Sequence, residues 1–359
     1  MTLHAAFVLP SLAGGGAERV MLQLLAGIDR SRFSSTLILL SADGPLADIP
    51  LDDVPFVDLA TPRLRNALRA LVRAIRKRRP HAVVSTLGHV NIALLASRRL
   101  LPRGTRIVVR EANLPSLSLA NGPRPRLMRW LYRRYYPRAD AVICTSKLMI
   151  EEMKRDFGVS PGRLHLLVNP IDSPALRGAA ASAPERPESG VRFVAAGRLT
   201  HQKGFDRLIE LFADPSLEGR LTIFGEGPAR PHLQKICAGL GLGARVLLPG
   251  FENNPWPNYA AADAFLLPSR WEGMPNAALE ALACGTPVIA SPESGAIAEI
   301  AAAAPRGAVT VAPWGEKFVA AMKNVTPEDR ERLGPSLLPP GHEPAAVARR
   351  FEEIVLNLG

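Results

Sequence analysis

The chain has 359 residues, of which 47% are hydrophobic and 21% charged, so it is long enough for two domains and too apolar for a disordered chain. It has no run of eighteen apolar residues, and no Lys or Arg precedes the first apolar run, so we expect neither a transmembrane helix nor a signal peptide. Cys144, Cys237 and Cys284 form no CxxC pair and no even set. The sequence therefore predicts a cytoplasmic protein without a disulfide framework or a structural zinc site.

The net charge of +11 is distributed unevenly along the chain. Residues 1–180 carry 27 Lys and Arg against 13 Asp and Glu, whereas residues 181–359 carry 17 against 20. The whole positive excess thus lies in the first half, which predicts two domains with different partners, one of them anionic. Nucleic acid, a membrane surface and a phosphorylated substrate all remain open at this point.

Short apolar runs bounded by turn residues alternate with helical stretches through the first half of the chain. This alternation is typical of a parallel sheet with helices on both faces. The predicted strands cover residues 4–9, 36–40, 82–85, 107–109 and 141–145, and a helix is predicted over 17–26.

The same alternation restarts after a segment rich in Ala, Pro, Ser and Glu, residues 173–190, which we interpret as an interdomain linker. The predicted strands then cover residues 192–196, 221–224, 245–248, 264–267 and 287–290, and the predicted helices 205–212, 231–238 and 277–284. Residues 344–358 form one more amphipathic helix. The predicted organisation is a first α/β domain over 1–172, the linker, a second α/β domain over 191–343, and a final helix over 344–359.

The first glycine motif is Gly14-Gly15-Gly16, between the first strand and the first helix. Backbone N–H groups at a helix N-terminus form an anion site, although a tight turn that needs glycine explains the motif equally well. The motif is not GxGxxG, and no acidic residue ends a second strand to bind an adenine ribose. A nicotinamide-binding domain is therefore disfavoured.

A second motif places two cations after a strand. Arg198 follows Gly197, and Lys203 precedes the helix that begins near residue 205. In open α/β sheets ligands bind at the carboxyl ends of strands, and an Arg with a Lys suits a diphosphate there. Two solvated loop cations are the alternative. Gly225-Glu226-Gly227, after the next strand, is a turn that permits close approach to a base or a sugar.

The most specific motif runs from Pro268 to Ala281, where a strand ends and a helix begins near Asn276, which we expect to cap it. Glu280 lies one turn beyond Asn276 on the same face, where a carboxylate can accept hydrogen bonds from a ribose diol. Glu272 precedes the turn and can hold hydroxyls of the group beyond the phosphates. The residues of this turn that we expect to contact the ligand are Gly273, Met274, Pro275 and Asn276.

Taken in order, Gly-Gly-Ala-Glu (15–18), Gly-Arg-Leu-x4-Gly (197–204), the Gly-Glu-Gly turn, and Glu272 followed by Glu280 resemble the family 4 glycosyltransferases. The resemblance spans nearly the whole chain. It implies retaining enzymes of the GT-B architecture, with two Rossmann-like α/β domains facing across a cleft, and we expect the C-terminal helix to return to the first domain.

The resemblance also implies roles for the residues named above. Arg198 and Lys203 hold the diphosphate of a nucleotide-sugar donor, Glu280 its ribose and Glu272 the transferred sugar. Gly197, Gly225 and Glu226 line the same site, and Gly15 and Gly16 approach the sugar-phosphate from the opposite domain. Uridine is the favoured base, and no cofactor is expected because the nucleotide sugar is a substrate.

This chain departs from many relatives near residue 110, where they carry a histidine and it has Arg110-Glu111-Ala112-Asn113. Glu111 and Asn113 are therefore predicted to lie near the reaction centre. Residues 84–91 resemble members that extend polyprenyl-diphosphate-linked sugars, and His89 within them is interpreted as a structural or supporting residue.

Two stretches are rich in arginine and contain no acidic residue, one from Arg63 to Arg79 and one from Arg124 to Arg138. The second also carries Trp130, Tyr135 and Tyr136. Basic amphipathic helices with aromatic residues suit an anionic membrane surface, and an ordinary solvated face is the alternative. Nucleic-acid binding is disfavoured because the second-domain motifs already account for a phosphorylated ligand.

The sequence thus predicts a retaining, metal-independent glycosyltransferase that moves a sugar from a nucleotide-diphosphate donor to a lipid-linked or cell-envelope glycan acceptor. The absence of a DxD-like pair from these motifs favours metal independence. The predicted location is the cytoplasmic face of the membrane. A GT-B sugar-nucleotide epimerase and a non-catalytic basic adaptor are the alternatives.

Overall fold

The computed structural model describes residues 2–12, 15–44, 53–61, 63–181, 190–327 and 333–358. The chain divides into two compact units, one formed by Met1–Pro170 with Glu343–Gly359 and the other by Ile171–His342. Each unit is a parallel sheet with helices between its strands. Among the described residues, no helix combines the length and the apolar character that a membrane span requires.

The first unit contains a parallel sheet of seven strands, counted over the described residues, in the order β3-β2-β1-β4-β5-β6-β7. Its strands are β1 Leu3–Leu9, β2 Phe33–Leu39, β3 Phe56–Asp58, β4 Ala82–Thr86, β5 Arg106–Arg110, β6 Ala141–Cys144 and β7 Leu164–Leu166. Its helices are α1 Gly16–Gly27, α2 Leu64–Arg78, α3 Gly88–Ala96, α4 Pro115–Ala120, α5 Pro125–Tyr135 and α6 Lys147–Phe157, with α14 Pro344–Leu356.

Side chains of this sheet alternate between two apolar layers, as the period of a strand requires. Ala6 and Val8 of β1 face one layer, and Phe7 faces the other. The C-terminal helix α14 packs into the second layer, with the ring of Phe351 5.7 Å from that of Phe7. Glu352 of α14 accepts the backbone N–H of Asp29 at 2.8 Å, which anchors the helix beside α1.

The second unit contains a parallel sheet of six strands, again counted over the described residues, in the order β10-β9-β8-β11-β12-β13. Its strands are β8 Arg192–Ala196, β9 Arg220–Phe224, β10 Val246–Gly250, β11 Ala264–Leu267, β12 Val288–Ala290 and β13 Val309–Val311. Its helices are α7 Ser173–Ala180, α8 Phe205–Leu211, α9 Arg230–Gly239, α10 Trp256–Ala261, α11 Asn276–Ala283, α12 Ile297–Ala303 and α13 Glu316–Lys323. The strand order reverses between β8 and β11, where open α/β sheets bind ligands.

The segment interpreted as a linker is partly helical. Residues 173–180 form α7, which Asp172 caps by accepting the N–H of Ala175 at 3.0 Å. This helix belongs to the second unit, where Arg177 donates to the carbonyl of Ala283 at 3.1 Å. Residues 182–189 of the segment lie outside the described residues. A cap and packing partners supply a helix that the local composition did not predict.

Candidate functional site

The loop after β8 carries Arg198, the first of the two predicted cations, in an exposed position. Gly197 donates its N–H to the carbonyl of Phe224, and Leu199 donates to the carbonyl of Glu226. Leu199 is fully buried, whereas Arg198 between these two anchors is exposed. The backbone is therefore fixed on both sides of an arginine whose side chain reaches solvent at the carboxyl edge of the sheet.

Lys203 and Glu272, predicted from separate motifs, are in direct contact. The Nζ of Lys203 lies 2.5 Å from Oε1 of Glu272, and the hydroxyl of Ser269 donates to the same oxygen at 2.8 Å. Glu272 is buried, so the lysine offsets a carboxylate that would otherwise be costly to desolvate. The two motifs therefore form a single site.

Further bonds tie the loop of Lys203 to the loop of Glu272. The backbone carbonyl of Gln202 accepts a hydrogen bond from the backbone N–H of Arg270 at 2.8 Å. Its side-chain amide donates to the backbone carbonyl of Trp271 at 3.0 Å. Arg270 also forms a bidentate pair with Asp206, both bonds being 2.8 Å. Burial raises the pKa of Asp206, but the hydrogen bonds and the charge of Arg270, together with backbone N–H donors, hold the pKa below its ordinary value. These hydrogen bonds hold the two loops that carry Lys203 and Glu272 in fixed positions relative to each other.

The glycine turn after β9 packs tightly on the loop after β8. Gly225 has a φ of +133°, and a Cβ at this position would collide with the carbonyl oxygen of Gly197. Only glycine allows both the conformation and the close approach. Glu226, next in the chain, is exposed and forms an ion pair with Arg230 at 3.1 Å.

The turn before α11 differs from the prediction in one detail. Asn276 is the first residue of the helix, and Pro275, whose backbone is extended, occupies the cap position without a side-chain hydrogen bond. The expectation that Asn276 caps the helix is therefore wrong, because its own backbone is already helical. Gly273 and Met274 are buried in the turn, and the carbonyl of Gly273 accepts the N–H of Ala296 at 2.9 Å.

Glu280 lies on α11, partly exposed, with its Oε2 3.3 Å from the indole Nε1 of Trp256. Trp256 opens α10, and the sequence analysis did not single it out. The signal that it offers is its place at the start of the helix that follows β10 of the same sheet.

Arg207 is a second residue that the sequence analysis missed. Its guanidinium donates to the carbonyls of Pro268 and Ser269 and to the hydroxyl of Ser291, at 2.6–3.2 Å. It also stacks on Trp314 at 4.2 Å. Burial lowers the pKa of Arg207. This arginine fixes the start of the loop that follows β11, in which Ser269 and Glu272 lie.

In the first unit, Gly15 occupies the cap position of α1 and Gly16 is the first residue of the helix. The buried carboxylate of Glu18 lies against Gly15. Gly14 lies outside the described residues. The helix begins where the sequence analysis placed its anion site, and the part of Gly15 and Gly16 in ligand binding stays a prediction.

Glu111 is buried where it follows β5, and its predicted place near the reaction centre stays a prediction. The residue is 3% exposed, and its carboxyl accepts hydrogen bonds from Tyr136, Tyr132 and Asn91. Burial raises the pKa of Glu111 to about 7, although these bonds act in the opposite direction. Asn113 is half-buried, and its predicted role stays a prediction.

The two basic stretches form helices α2 and α5. Helix α2 buries its apolar side, including Leu71 and Ile75, so its exposed surface is mainly arginine. Helix α5 leaves Leu127 and Trp130 45% and 56% exposed. The exposed arginines of α5 are Arg126, Arg129, Arg133 and Arg134.

The expectation that Tyr136 lies at a membrane surface is wrong. Its side chain is completely buried against Tyr132, with the two ring centroids 4.3 Å apart. Tyr135 is half-buried, and the guanidinium groups of Arg134 and Arg138 lie 5.7 and 5.3 Å from the centroid of its ring. Of the three aromatic residues that the sequence proposed for a surface role, Trp130 is the exposed one.

The architecture is shared with solved transferases. The chain superimposes on the outer-core galactosyltransferase WaaB of lipopolysaccharide with a TM-score of 0.71 at 17% identity, over 99% of each chain. It superimposes on Anabaena HepE in complex with UDP-glucose with a TM-score of 0.71 at 20% identity, over 99% of this chain and 98% of that one. These likenesses, with two parallel sheets, define a GT-B fold.

Sequence comparison identifies the family. The model of Glycosyltransferase Family 4 matches residues 14–173, and that of Glycosyl transferases group 1 matches residues 180–335. A Campylobacter jejuni enzyme, N-acetylgalactosamine-N,N'-diacetylbacillosaminyl-diphospho-undecaprenol 4-alpha-N-acetylgalactosaminyltransferase, is 31% identical over 291 residues, 78% of each chain. The chain therefore belongs to glycosyltransferase family 4 and is a glycosyltransferase.

Proposed function

We propose that this enzyme transfers a sugar from a UDP-sugar, with retention and without a metal ion, to a lipid-linked glycan at the cytoplasmic face of an anionic membrane. The observation that carries the proposal is the contact between Lys203 and Glu272 beside the exposed Arg198. This arrangement places two cations and one buried carboxylate at the carboxyl edge of the second sheet. The two cations, Arg198 and Lys203, suit a diphosphate, and the carboxylate of Glu272 suits the sugar attached to that diphosphate.

The two cations act on the leaving group. As the glycosidic bond breaks, negative charge accumulates on the diphosphate, and fixed positive charge lowers the energy of that state. Arg198 offers a planar, bidentate donor, and Lys203 offers a compact charge held in place by Glu272. Because these groups already supply positive charge, the proposal requires no divalent cation.

The nucleoside is assigned to Glu280. Its carboxylate can accept hydrogen bonds from the two ribose hydroxyls, and Trp256 holds one of its oxygens from the side. Uridine is proposed because HepE, which shares the fold, was solved with UDP and with UDP-glucose. Gly197, Gly225 and Glu226 lie on the neighbouring turns and are proposed to line this end of the site.

Retention is proposed from the resemblance to the family 4 glycosyltransferases, and the contacts of Glu272 bear on how it is achieved. A double displacement needs a carboxylate free to attack the anomeric carbon, but Oε1 of Glu272 already accepts from Lys203 and Ser269. A carboxylate held in this way suits the binding of sugar hydroxyls. With retention taken from the family, the proposed reaction is a displacement on the face that the diphosphate leaves, without a covalent intermediate on the protein.

The acceptor is proposed from the Campylobacter relative, whose name describes a diphospho-undecaprenol acceptor. The exposed side of α5 supports a membrane location, since it presents four arginines together with Leu127 and Trp130. Each cation near an anionic lipid surface contributes about 1 kcal/mol, so a few give reversible attachment. Helix α2 adds a row of exposed arginines and no apolar anchor.

Incubation of the purified chain with UDP-sugars and a polyprenyl-diphosphate-linked saccharide tests the reaction. We expect transfer of one sugar, an α-configured product from an α-configured donor by NMR, and equal rates with and without EDTA. An inverted product contradicts retention, and loss of activity in EDTA that Mg²⁺ restores contradicts metal independence. Interconversion of the donor into an epimer without acceptor identifies an epimerase instead.

A further inference from the structure

Three elements of the first unit meet at the carboxyl of Glu111, which follows β5. Asn91 of α3 donates to Oε1 at 3.1 Å, and Tyr132 of α5 donates to Oε2 at 3.3 Å. Tyr136, just beyond α5, also donates to Oε1. Asn91 is fixed in turn by the hydroxyl of Ser85, which donates to its Oδ1 at 2.7 Å. Helices α3 and α5 are thus joined through one buried carboxyl group.

The junction bears directly on the first turn of α3. Gly88 begins this helix, and the hydroxyl of Tyr132 occupies the space that a Cβ on residue 88 would need. Leu87 before it has a φ of +71°, a conformation that side-chain-bearing residues rarely adopt. Surrounding contacts must hold such a residue in place. The first turn of α3 therefore depends on the position of α5.

The protonation state of Glu111 affects the hydrogen bonds that join α3 to α5, because its three partners Asn91, Tyr132 and Tyr136 all act as donors to its carboxyl group. A carboxylate accepts from all three partners, whereas a neutral carboxyl or an amide brings a donor of its own into the group. Arg110, next in the chain, instead directs its guanidinium to Asn169 at 2.5 Å. Among the described residues, the titratable groups that interact with Glu111 are Arg110, Tyr132, Tyr136 and Cys144 of β6.

We propose that Glu111 is a positioning residue for the acceptor: it couples α5, the helix assigned above to the membrane, to the first turn of α3. This inference rests on the proposed membrane function. The exposed His89 lies in that turn, beside the carboxyl end of β4, where the sheet presents its ligand-binding edge. Docking of α5 on lipid then orders the turn before the lipid-linked substrate arrives.

Hydrogen exchange with and without vesicles of phosphatidylglycerol and phosphatidylcholine tests this coupling in the full chain. In the wild type we expect vesicles to slow exchange several-fold both in α5 and in residues 87–91. In Glu111→Gln we expect slowing in α5 and none in residues 87–91. Tyr132→Phe, which keeps the ring and removes the hydroxyl, is expected to behave in the same way and serves if the glutamine variant does not fold.

Glu152→Gln is the matched control. Glu152 is also a buried glutamate of the first unit, but it joins α6 to α4 by accepting from the N–H and hydroxyl of Ser116. We expect this variant to retain the response of residues 87–91. Equal slowing at 87–91 in wild type and Glu111→Gln, or slowing in α5 alone in the wild type, overturns the coupling. No change in α5 of the wild type overturns the membrane proposal and the coupling together.

Acceptor kinetics give the second readout. Glu111→Gln is expected to raise the KM for the lipid-linked acceptor and to leave the donor KM unchanged, whereas Glu152→Gln is expected to change neither. A loss of kcat with both KM values unchanged assigns Glu111 a purely structural role and refutes the proposal.

Discussion

The Nζ of Lys203 and the Oε1 of Glu272, 69 residues apart in the chain, lie 2.5 Å from each other. Each was predicted to bind a different part of the same ligand, and the contact means that neither can be changed without affecting the other. Arg198, by contrast, projects from the same loop without being buried. The two cations should therefore respond differently to substitution.

Arg198→Ala should lower turnover about 10²–10³-fold, as does the removal of one donor that stabilises developing charge, and leave stability unchanged. Steady-state kinetics at saturating donor, together with urea unfolding, measure both quantities. Wild-type turnover in this variant would remove Arg198 from the reaction.

Lys203→Ala should reduce both turnover and stability. It leaves the buried Glu272 without its cation and with only the hydroxyl of Ser269 as a donor, which costs about 3 kcal/mol of unfolding free energy. The double variant Lys203→Met with Glu272→Gln should recover most of the stability and none of the activity. A double-mutant cycle in urea measures this coupling, and additive losses in stability would show that the pair is not energetically linked.

Glu280→Ala should weaken donor binding without unfolding the protein, since the carboxylate is partly exposed in the free enzyme. The loss of a charge-assisted hydrogen bond corresponds to about 1.5–3 kcal/mol, or roughly tenfold to a hundredfold in affinity. Calorimetry with UDP measures it. Trp256→Phe, which removes only the indole donor to this carboxylate, should cost much less, and unchanged affinity in Glu280→Ala would withdraw the ribose assignment.

Stability should depend on pH through Glu111. Burial raises its pKa from an ordinary 4.5 to about 7 in the folded chain. Its contribution to stability is therefore complete below pH 4.5 and is lost as the pH rises through 7, amounting to about 3 kcal/mol. Urea unfolding across this range should show the decline in wild type and a flatter profile in Glu111→Gln. Parallel profiles would mean that Glu111 titrates normally.

Vesicle binding should have a salt-sensitive part and a salt-resistant part. Changing Arg126, Arg129 and Arg134 to Glu should abolish the salt-sensitive binding, because an anionic surface repels the reversed charges. In the wild type this part should weaken as salt rises, because exposed charges are screened beyond about 8–10 Å at physiological ionic strength. Arg133 is left intact because it donates to the carbonyl of Asp156 at 2.9 Å. Co-sedimentation with anionic and neutral vesicles provides the measurement.

The control for this reversal places the same charge change in the second unit, at the exposed Lys235, Arg306 and Lys317. Trp130→Ala should lower the binding that persists at high salt by about 1–2 kcal/mol, whereas Leu240→Ala, an exposed apolar residue of the second unit, should not. Equal pelleting on neutral and anionic vesicles would leave α5 an ordinary solvated helix.

Much of the fold could be predicted because buried parallel strands are continuous apolar runs. Strands β8 and β11 have the predicted bounds, and α14 begins at the predicted residue. Strands β3, β7 and β13 were missed because each has three residues and too few apolar positions to stand out from its surroundings. Helix α7 was missed because its stability comes from its cap and its neighbours.

The order of the motifs was sufficient to name the family, because the order and spacing of motifs can be read from the sequence alone. The partners of individual side chains were not predictable, because they depend on contacts between residues distant in sequence. Glu111 and Tyr136 show this most clearly. Both side chains are polar and were expected at a substrate or membrane surface, but both are buried and hydrogen-bonded to each other. The sequence determined which residue types follow each strand, and the tertiary structure alone decided which of them face solvent, since burial depends on how neighbouring elements pack.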